Sequence, residues 1–258
     1  MVKLSACIET VCRDESFVRR MERVAQLGIG AVEFWGYGNK DIAAIDRARK
    51  DLGLRIAAMC PMLTKPMVQP GESAAFVEAI KKAIEVAQRL ECPTLIVTTG
   101  NELKDVSRAE QHDAIVACLT AAAPIAEEAG ITMTLEPLNL LVDHAGYFLS
   151  TSAEGFAIVR GVGSPSVKLL YDIYHQQITE GNLIPTIRQN IHLIGHFHSA
   201  DHPGRHEFGT GEINYENVIR AIAETDYDGY LGLEFIPTGD PDEALRKCRQ
   251  VFELATKT

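Results

Sequence analysis

The sequence predicts an α/β fold, a closed (β/α)8 barrel of the TIM-barrel kind, on three observations. The chain has 258 residues, close to the roughly 250 typical of one such barrel. Short apolar runs alternate with longer amphipathic stretches about eight times, and eight parallel strands close a barrel. Each of the last four apolar runs ends in a carboxylate or a histidine, at the strand end where barrel enzymes carry their chemistry. No linker or shift in composition divides the chain, so residues 1–258 are expected to form one domain.

The predicted strands cover residues 3–8, 31–34, 55–60, 94–97, 132–136, 168–171, 193–198 and 230–235. Between them, Phe76, Ile80, Ala83, Ile84, Ala87 and Leu90 recur at steps of three and four and give a helix one apolar face. Ile115, Leu119, Ala122 and Ala126 do the same in the next helix, where Pro124 is expected to introduce a kink. Val218, Ile219 and Ile222 mark another helix, with Asn214 as its N-cap. Gly28, Gly53 and Gly130 follow helical runs, where a left-handed cap is expected. Two long irregular segments, 61–71 and 199–211, follow strands and are expected to form binding loops at the reactive face.

Composition narrows the function. A hydrophobic content of 46% and a charged content of 23% describe an ordinary globular chain. The net charge of -10 and the lack of a Lys/Arg run argue against a nucleic-acid partner. No apolar run approaches the roughly 20 residues that span a bilayer, so no membrane is expected. The six cysteines form no C-x-x-C pair and read as reduced thiols, and the start of the chain does not read as a signal peptide; a cytoplasmic location is the expectation. Barrels often associate, so a homo-oligomer is compatible with the chain, although no interface is legible in it.

The chemistry gathers at four positions. Glu136 ends the fifth strand in Thr-Leu-Glu-Pro-Leu-Asn, Asp172 the sixth in Tyr-Asp-Ile-Tyr-His, His198 the seventh in Gly-His-Phe-His-Ser-Ala-Asp, and Glu234 the eighth in Leu-Gly-Leu-Glu-Phe. A single acidic residue at a strand end often caps the next helix. Three carboxylates and an imidazole converging at one barrel mouth instead call for a cation to offset their repulsion and desolvation. An oxygen-rich set with one nitrogen suits Mn²⁺ or Mg²⁺, with Co²⁺ or Zn²⁺ as further options. A metal there can polarise a carbonyl and hold the neighbouring hydroxyl, which makes the intervening C–H acidic. Glu136 and Glu234 are the best-placed pair to move that proton through an enediolate.

Other residues are candidates of lower rank. His175, three residues past Asp172, can donate to a substrate oxygen or support a ligand. Arg205, in the loop after the seventh strand, can clamp a carboxylate or hydroxyls, or stay a solvated charge. Glu33 either reaches the site or anchors a loop, and Trp35 can wall a small substrate or simply pack. His196 is placed facing away from His198, as a residue of secondary importance. Gly209 and Gly211 form a turn able to hold an anion, though a plain turn is the commoner role.

At these motifs, together with Gly-Arg-His-Glu-Phe-Gly-Thr-Gly-Glu-Ile-Asn-Tyr, the chain resembles the hydroxypyruvate isomerase family within the xylose-isomerase-like TIM barrels. The match is densest from Glu136 to Phe235; in the first half Val-Glu-Phe is the best local agreement. The resemblance implies metal ligation by Glu136, Asp172, His198 and Glu234, proton transfer by Glu136 and Glu234, and substrate contact by His175 and Arg205. It implies isomerisation of a small hydroxy-aldehyde, ketose or keto acid, of the hydroxypyruvate/tartronate-semialdehyde type. Two departures bear on substrate. Some family members that act on hydroxypyruvate carry Gln where His198 stands, whereas related ketose 3-epimerases carry His. Those epimerases place a substrate-binding Glu where this chain has Val142, followed by Asp143. Ketose 3-epimerisation and a lyase or dehydratase on the same barrel remain the alternatives. A repair endonuclease would want several zinc ions and more histidines than the eight present.

Overall fold

The computed structural model describes residues 1–257. Eight parallel strands close into a barrel in chain order: β1 (Lys3–Cys7), β2 (Ala31–Phe34), β3 (Arg55–Met59), β4 (Thr94–Val97), β5 (Thr132–Leu135), β6 (Val167–Asp172), β7 (Ile194–Ser199) and β8 (Tyr230–Leu233). β1 pairs with β8, which removes both sheet edges. The helices between them are α1 (Phe17–Gln26), α2 (Ile42–Asp51), α3 (Ser73–Leu90), α4 (Arg108–Ala129), α5 (Ser152–Val162), α6 (Ile173–Thr179), α7 (Leu183–Asn190), α8 (Tyr215–Ala223) and α9 (Pro241–Thr256). Among the described residues no helix is long and apolar enough to cross a membrane.

The eight predicted strands are all present, two of them with the same bounds and the others with ends that differ by at most two residues. Glu136 and Glu234 stand one residue beyond β5 and β8, while Asp172 and His198 lie within β6 and β7. Gly28, Gly53 and Gly130 have φ of 74°, 65° and 66°, the left-handed conformation that stops a helix without a Cβ clash. Asn214 caps α8 by accepting from the Asn217 amide. Pro124, where a kink is expected, does not end the helix: α4 runs through it to Ala129. Proline deprives the Thr120 carbonyl of its partner, but Thr120 is exposed, so water can serve it. Ala122, Ala123 and Ala126 stay buried and hold that stretch against the barrel.

Outward-facing strand residues such as Val32, Leu95, Met133, Leu135, Leu169 and Leu231 join the helix faces in one large apolar layer. The inward-facing set is different. Its apolar part is a small separate cluster of Ala58, Ile96 and Leu170, and buried Ser5, Glu33 and His196 meet one another across the lumen. A polar lumen beneath the strand ends is what allows ligating groups to be anchored from below. Register sets their level: Asp172 is the Cα partner of His198, and His198 that of Gly232.

Candidate active site

Glu136, Asp172, His198 and Glu234 converge at the C-terminal mouth, all buried, with one ligand atom from each within 4.8 Å of the others. Four atoms sharing one cation at about 2.0–2.2 Å stand within about 4.4 Å of one another, and His198 Nδ1 already lies 3.2 Å from Glu136 and 3.4 Å from Glu234. The site thus brings together all four of the side chains assigned to ligation from the sequence, with a donor set of three carboxylates and one imidazole that fits a hard divalent cation.

The four groups are held to different degrees. Asp172 caps α6 through Oδ1, which accepts from the Tyr174 and His175 amides at 2.8 and 3.2 Å and leaves Oδ2 free. Glu234 Oε1 accepts from the indole Nε1 of Trp35 at 2.9 Å, and Oε2 pairs with Arg205. Glu136 is the least constrained: its Oε1 lies 3.2 Å from His198 Nδ1, while its backbone is held by Val97 and Tyr147. His198 turns Nδ1 toward Glu136 and Glu234 and Nε2 toward Glu33 Oε1 at 3.0 Å.

Glu33 is therefore part of the site rather than a loop anchor. Its Oε2 accepts from Ser5 Oγ at 2.9 Å and lies 2.8 Å from His196 Nε2. A Cβ at Gly232 would come within 2.1 Å of Glu33 Oε1, so only glycine on β8 leaves the carboxylate room. His196 corrects the expectation from the sequence. Residues two apart on a strand share a face, and the His196 and His198 rings lie 5.2 Å apart on the same inward side. A carboxylate behind a ligating imidazole fixes its tautomer and its aim.

Electrostatics follow from burial among charges. Burial alone would raise the Glu33 carboxyl, but His196 and His198 overrule it and hold it at about 2. Burial likewise opposes ionisation of Glu234, yet His198 and Arg205 take it well below the usual carboxylate range. Asp172 moves the other way: burial raises it, and Arg205 and His198 only partly compensate. His198 would be depressed by burial, but Glu234 and Glu33 carry it well above an ordinary histidine. One guanidinium and two imidazoles, His196 and His198, thus face the four carboxylates Glu33, Glu136, Asp172 and Glu234, an imbalance that a divalent cation would offset.

His175 and Arg205 both border this centre. His175 is fully buried; its Nδ1 takes the Asn139 amide group at 2.6 Å, and Nε2 lies 3.5 Å from Asp172 Oδ2 without a hydrogen-bond partner. Burial and then Arg205 push its pKa down to about 3, so the ring is neutral, with its proton assigned to Nε2 by the Asn139 contact. Arg205 is not a free clamp: it pairs with Glu234, stands 4.0 Å from Asp172 and lies over the Tyr174 ring. Tyr174 and Asn139 both donate to Asp143, which links the residue after Val142 to the site.

The loop that delivers Arg205 has its own anchor. Asp201 Oδ2 accepts from the amides of Gly209, Thr210 and Gly211, and Oδ1 from those of His202 and Ile213. The Gly-Thr-Gly turn does hold an anion, and that anion is the chain's own carboxylate. Nothing in a one-dimensional reading distinguishes this closed use from an external ligand. The roles of Glu33, His196 and Asp201 depend on contacts between distant segments, and the only local hint was Glu33 at the end of its own apolar run.

The site is a buried cluster of acids and a histidine at the strand ends of a parallel barrel, and the relatives give its class, a barrel isomerase. The chain belongs to the xylose isomerase-like TIM barrel family, whose model matches residues 21–253. It is 30% identical to hydroxypyruvate isomerase of Escherichia coli strain K12, over 95% of this chain and 98% of that one. It is 31% identical to 2-oxo-tetronate isomerase of Cupriavidus necator, over 92% and 94% of the two chains. Among solved structures, that of an AP endonuclease, family 2, from Brucella melitensis superposes with a TM-score of 0.90 at 27% identity, covering 95% of this chain and 97% of the other.

Proposed function

We propose that the chain is a divalent-metal-dependent isomerase of a small hydroxy-carbonyl compound, of the hydroxypyruvate/tartronate-semialdehyde type, working through an enediolate. The observation that carries this reading is the cage of four buried ligand groups from four consecutive strands. Glu136, Asp172, His198 and Glu234 would hold Mn²⁺ or Mg²⁺, which when bound supplies Lewis acidity to a carbonyl and its neighbouring hydroxyl.

The rest of the chemistry belongs to the chain's own side chains. Glu136, the carboxylate with fewest partners, removes the proton from the carbon between carbonyl and hydroxyl. Glu136 returns that proton to the former carbonyl carbon, or Glu234, ionised at rest, takes up a solvent proton in transit and delivers it there, while the hydroxyl proton passes to the former carbonyl oxygen; hydrogen shifts between adjacent carbons with no net oxidation. Neutral His175 presents Nε2–H to a substrate oxygen. Arg205 holds Glu234 ionised and directed at the centre. Names of relatives support the reaction class: one is a hydroxypyruvate isomerase and another a 2-oxo-tetronate isomerase.

The test is solvent exchange. Protein stripped by a chelator and reloaded with Mn²⁺ or Mg²⁺, given hydroxypyruvate or a longer hydroxy-carbonyl compound in deuterated water, should incorporate deuterium at carbon and yield the isomer. Absence of exchange with every C3 to C6 candidate would overturn the reading. Inverted ketose instead of an aldose–ketose pair would move it to 3-epimerisation, and release of water or a fragment to a lyase. Endonuclease activity is disfavoured by the net charge of -10 and a ligand cage holding a single imidazole; cleavage of abasic duplex at low salt would restore it.

A further inference from the structure

Beside the ligand cage lies a second feature that the proposed chemistry does not use. A cavity of about 740 Å³ opens over the ends of β1–β4, lined among others by Glu9, Trp35, Lys40, Met62, Thr98 and Asn39. It adjoins the cage: Trp35 forms part of its wall and also donates to Glu234. Cys60, in the same wall, is raised first by burial and then by the charges of Glu136 and Glu234, which places it within their field. Thr98 directly follows β4, whose Val97 carbonyl accepts from the Glu136 amide.

We propose that this cavity is a subsite for the uncharged, hydroxyl-bearing tail of a substrate longer than three carbons. It rests on the isomerase reading for where the reacting carbons sit, at the cage. Size is the first reason: small-molecule sites run to about 300–1,000 Å³, and this volume lies outside the cage, so three carbons held at the cage would leave it unfilled. Charge is the second. Lys40 is committed to Glu9 at 2.7 Å and to the Gly36 carbonyl, with its ammonium over Phe17 and Phe34. That pairing neutralises Glu9 and leaves no spare cation for a distal carboxylate or phosphate. The remaining chemistry is the third reason. Asn39 and Thr98 supply neutral donors and acceptors, and the second Glu9 oxygen accepts. Trp35 and Met62, 45% and 46% exposed, offer apolar faces to the C–H side of a polyol chain.

The sole tryptophan of the chain lines the cavity, so its fluorescence reports occupancy without turnover. In the presence of Mg²⁺, erythronate or threonate (four carbons, unreactive) should bind at least about tenfold tighter than glycerate (three carbons), the gain expected from one or two added hydrogen bonds. Asn39→Ala and, separately, Thr98→Leu should collapse that ratio toward one, and the kcat/KM ratio between a four-carbon 2-oxo acid and hydroxypyruvate should fall in parallel. Equal affinity for three- and four-carbon acids in the unaltered protein, or a ratio untouched by both substitutions, would overturn the subsite. Deuterium exchange into hydroxypyruvate reports the isomerase reading separately. Exchange without a length preference sinks the subsite alone; a length preference without any exchange sinks the reaction and leaves the subsite standing.

Discussion

Around the barrel mouth, β5–β8 end in Glu136, Asp172, His198 and Glu234, packed so closely that each is buried and fixed by a neighbour. The ends of β1–β4, around Glu9, Trp35, Cys60 and Thr98, instead frame an open cavity of about 740 Å³. In one half, charge is concentrated and over-determined: Glu234 alone is held by Trp35, Arg205 and His198. In the other, charge is cancelled locally by the Glu9–Lys40 pair. The difference teaches how one fold separates reaction from recognition. Chemistry needs groups fixed to fractions of an ångström, whereas substrate choice needs space and neutral polar contacts. The two halves meet at two points, Trp35 above and Glu33 beneath.

This division can be broken or sharpened by substitution. The largest effect is expected in the charged half: Glu136→Gln and Glu234→Gln should each lower kcat by at least about a hundredfold, measured by steady-state turnover in saturating metal. Near-normal turnover in both would remove their acid/base assignment. Next comes Glu33→Gln, which spares every ligand but loosens the aim of His198. It should weaken Mn²⁺ binding by about 10- to 100-fold in calorimetric titration, and unchanged affinity would return Glu33 to a purely structural role.

Proton linkage gives a further expectation. His198 is raised well above an ordinary histidine by Glu234 and Glu33, against the pull of burial. At neutral pH it is therefore protonated before metal arrives, and an imidazolium cannot ligate. Metal must displace about one proton, so affinity weakens as pH falls and strengthens as pH rises toward the His198 pKa. Titrations in two buffers of different ionisation enthalpy count the protons released; a pH-independent affinity would contradict the assignment. Arg205→Ala should lower kcat by about tenfold as Glu234 loses the partner that holds it ionised, with a smaller rise in KM; an unchanged kcat would contradict that role. The smallest effect belongs to the open half: Met62→Ala should leave Mn²⁺ affinity within about twofold, as exposed positions usually do. A large loss there would show that the halves are not separate.

Much of this was legible in the sequence, for identifiable reasons. Strand positions could be read because buried parallel strands are short apolar runs, and the four cage residues because each closes such a run. That α4 continues through Pro124 was not legible, because the penalty depends on the exposure of Thr120, whose carbonyl is orphaned, and periodicity does not report that exposure. His196 was assigned to the wrong face, although two-residue spacing on β7 puts it beside His198. Glu33 meets it across the lumen, 163 positions away in the chain, and only barrel closure brings them together. Asp201 was missed because its partners are backbone amides, which carry no residue signature. The Glu9–Lys40 cavity was equally invisible, being a volume left between four loops rather than a motif.

The most direct measurement is the stoichiometry of Mn²⁺ binding, followed by electron paramagnetic resonance or calorimetry, in the unaltered chain and in a Glu136→Gln/Asp172→Asn double variant. The cage requires one tightly bound ion per chain and a loss of at least about a hundredfold in affinity in the variant, since two of the four ligands are neutralised. Absence of stoichiometric binding in the unaltered chain, or equal binding by the variant, would contradict it.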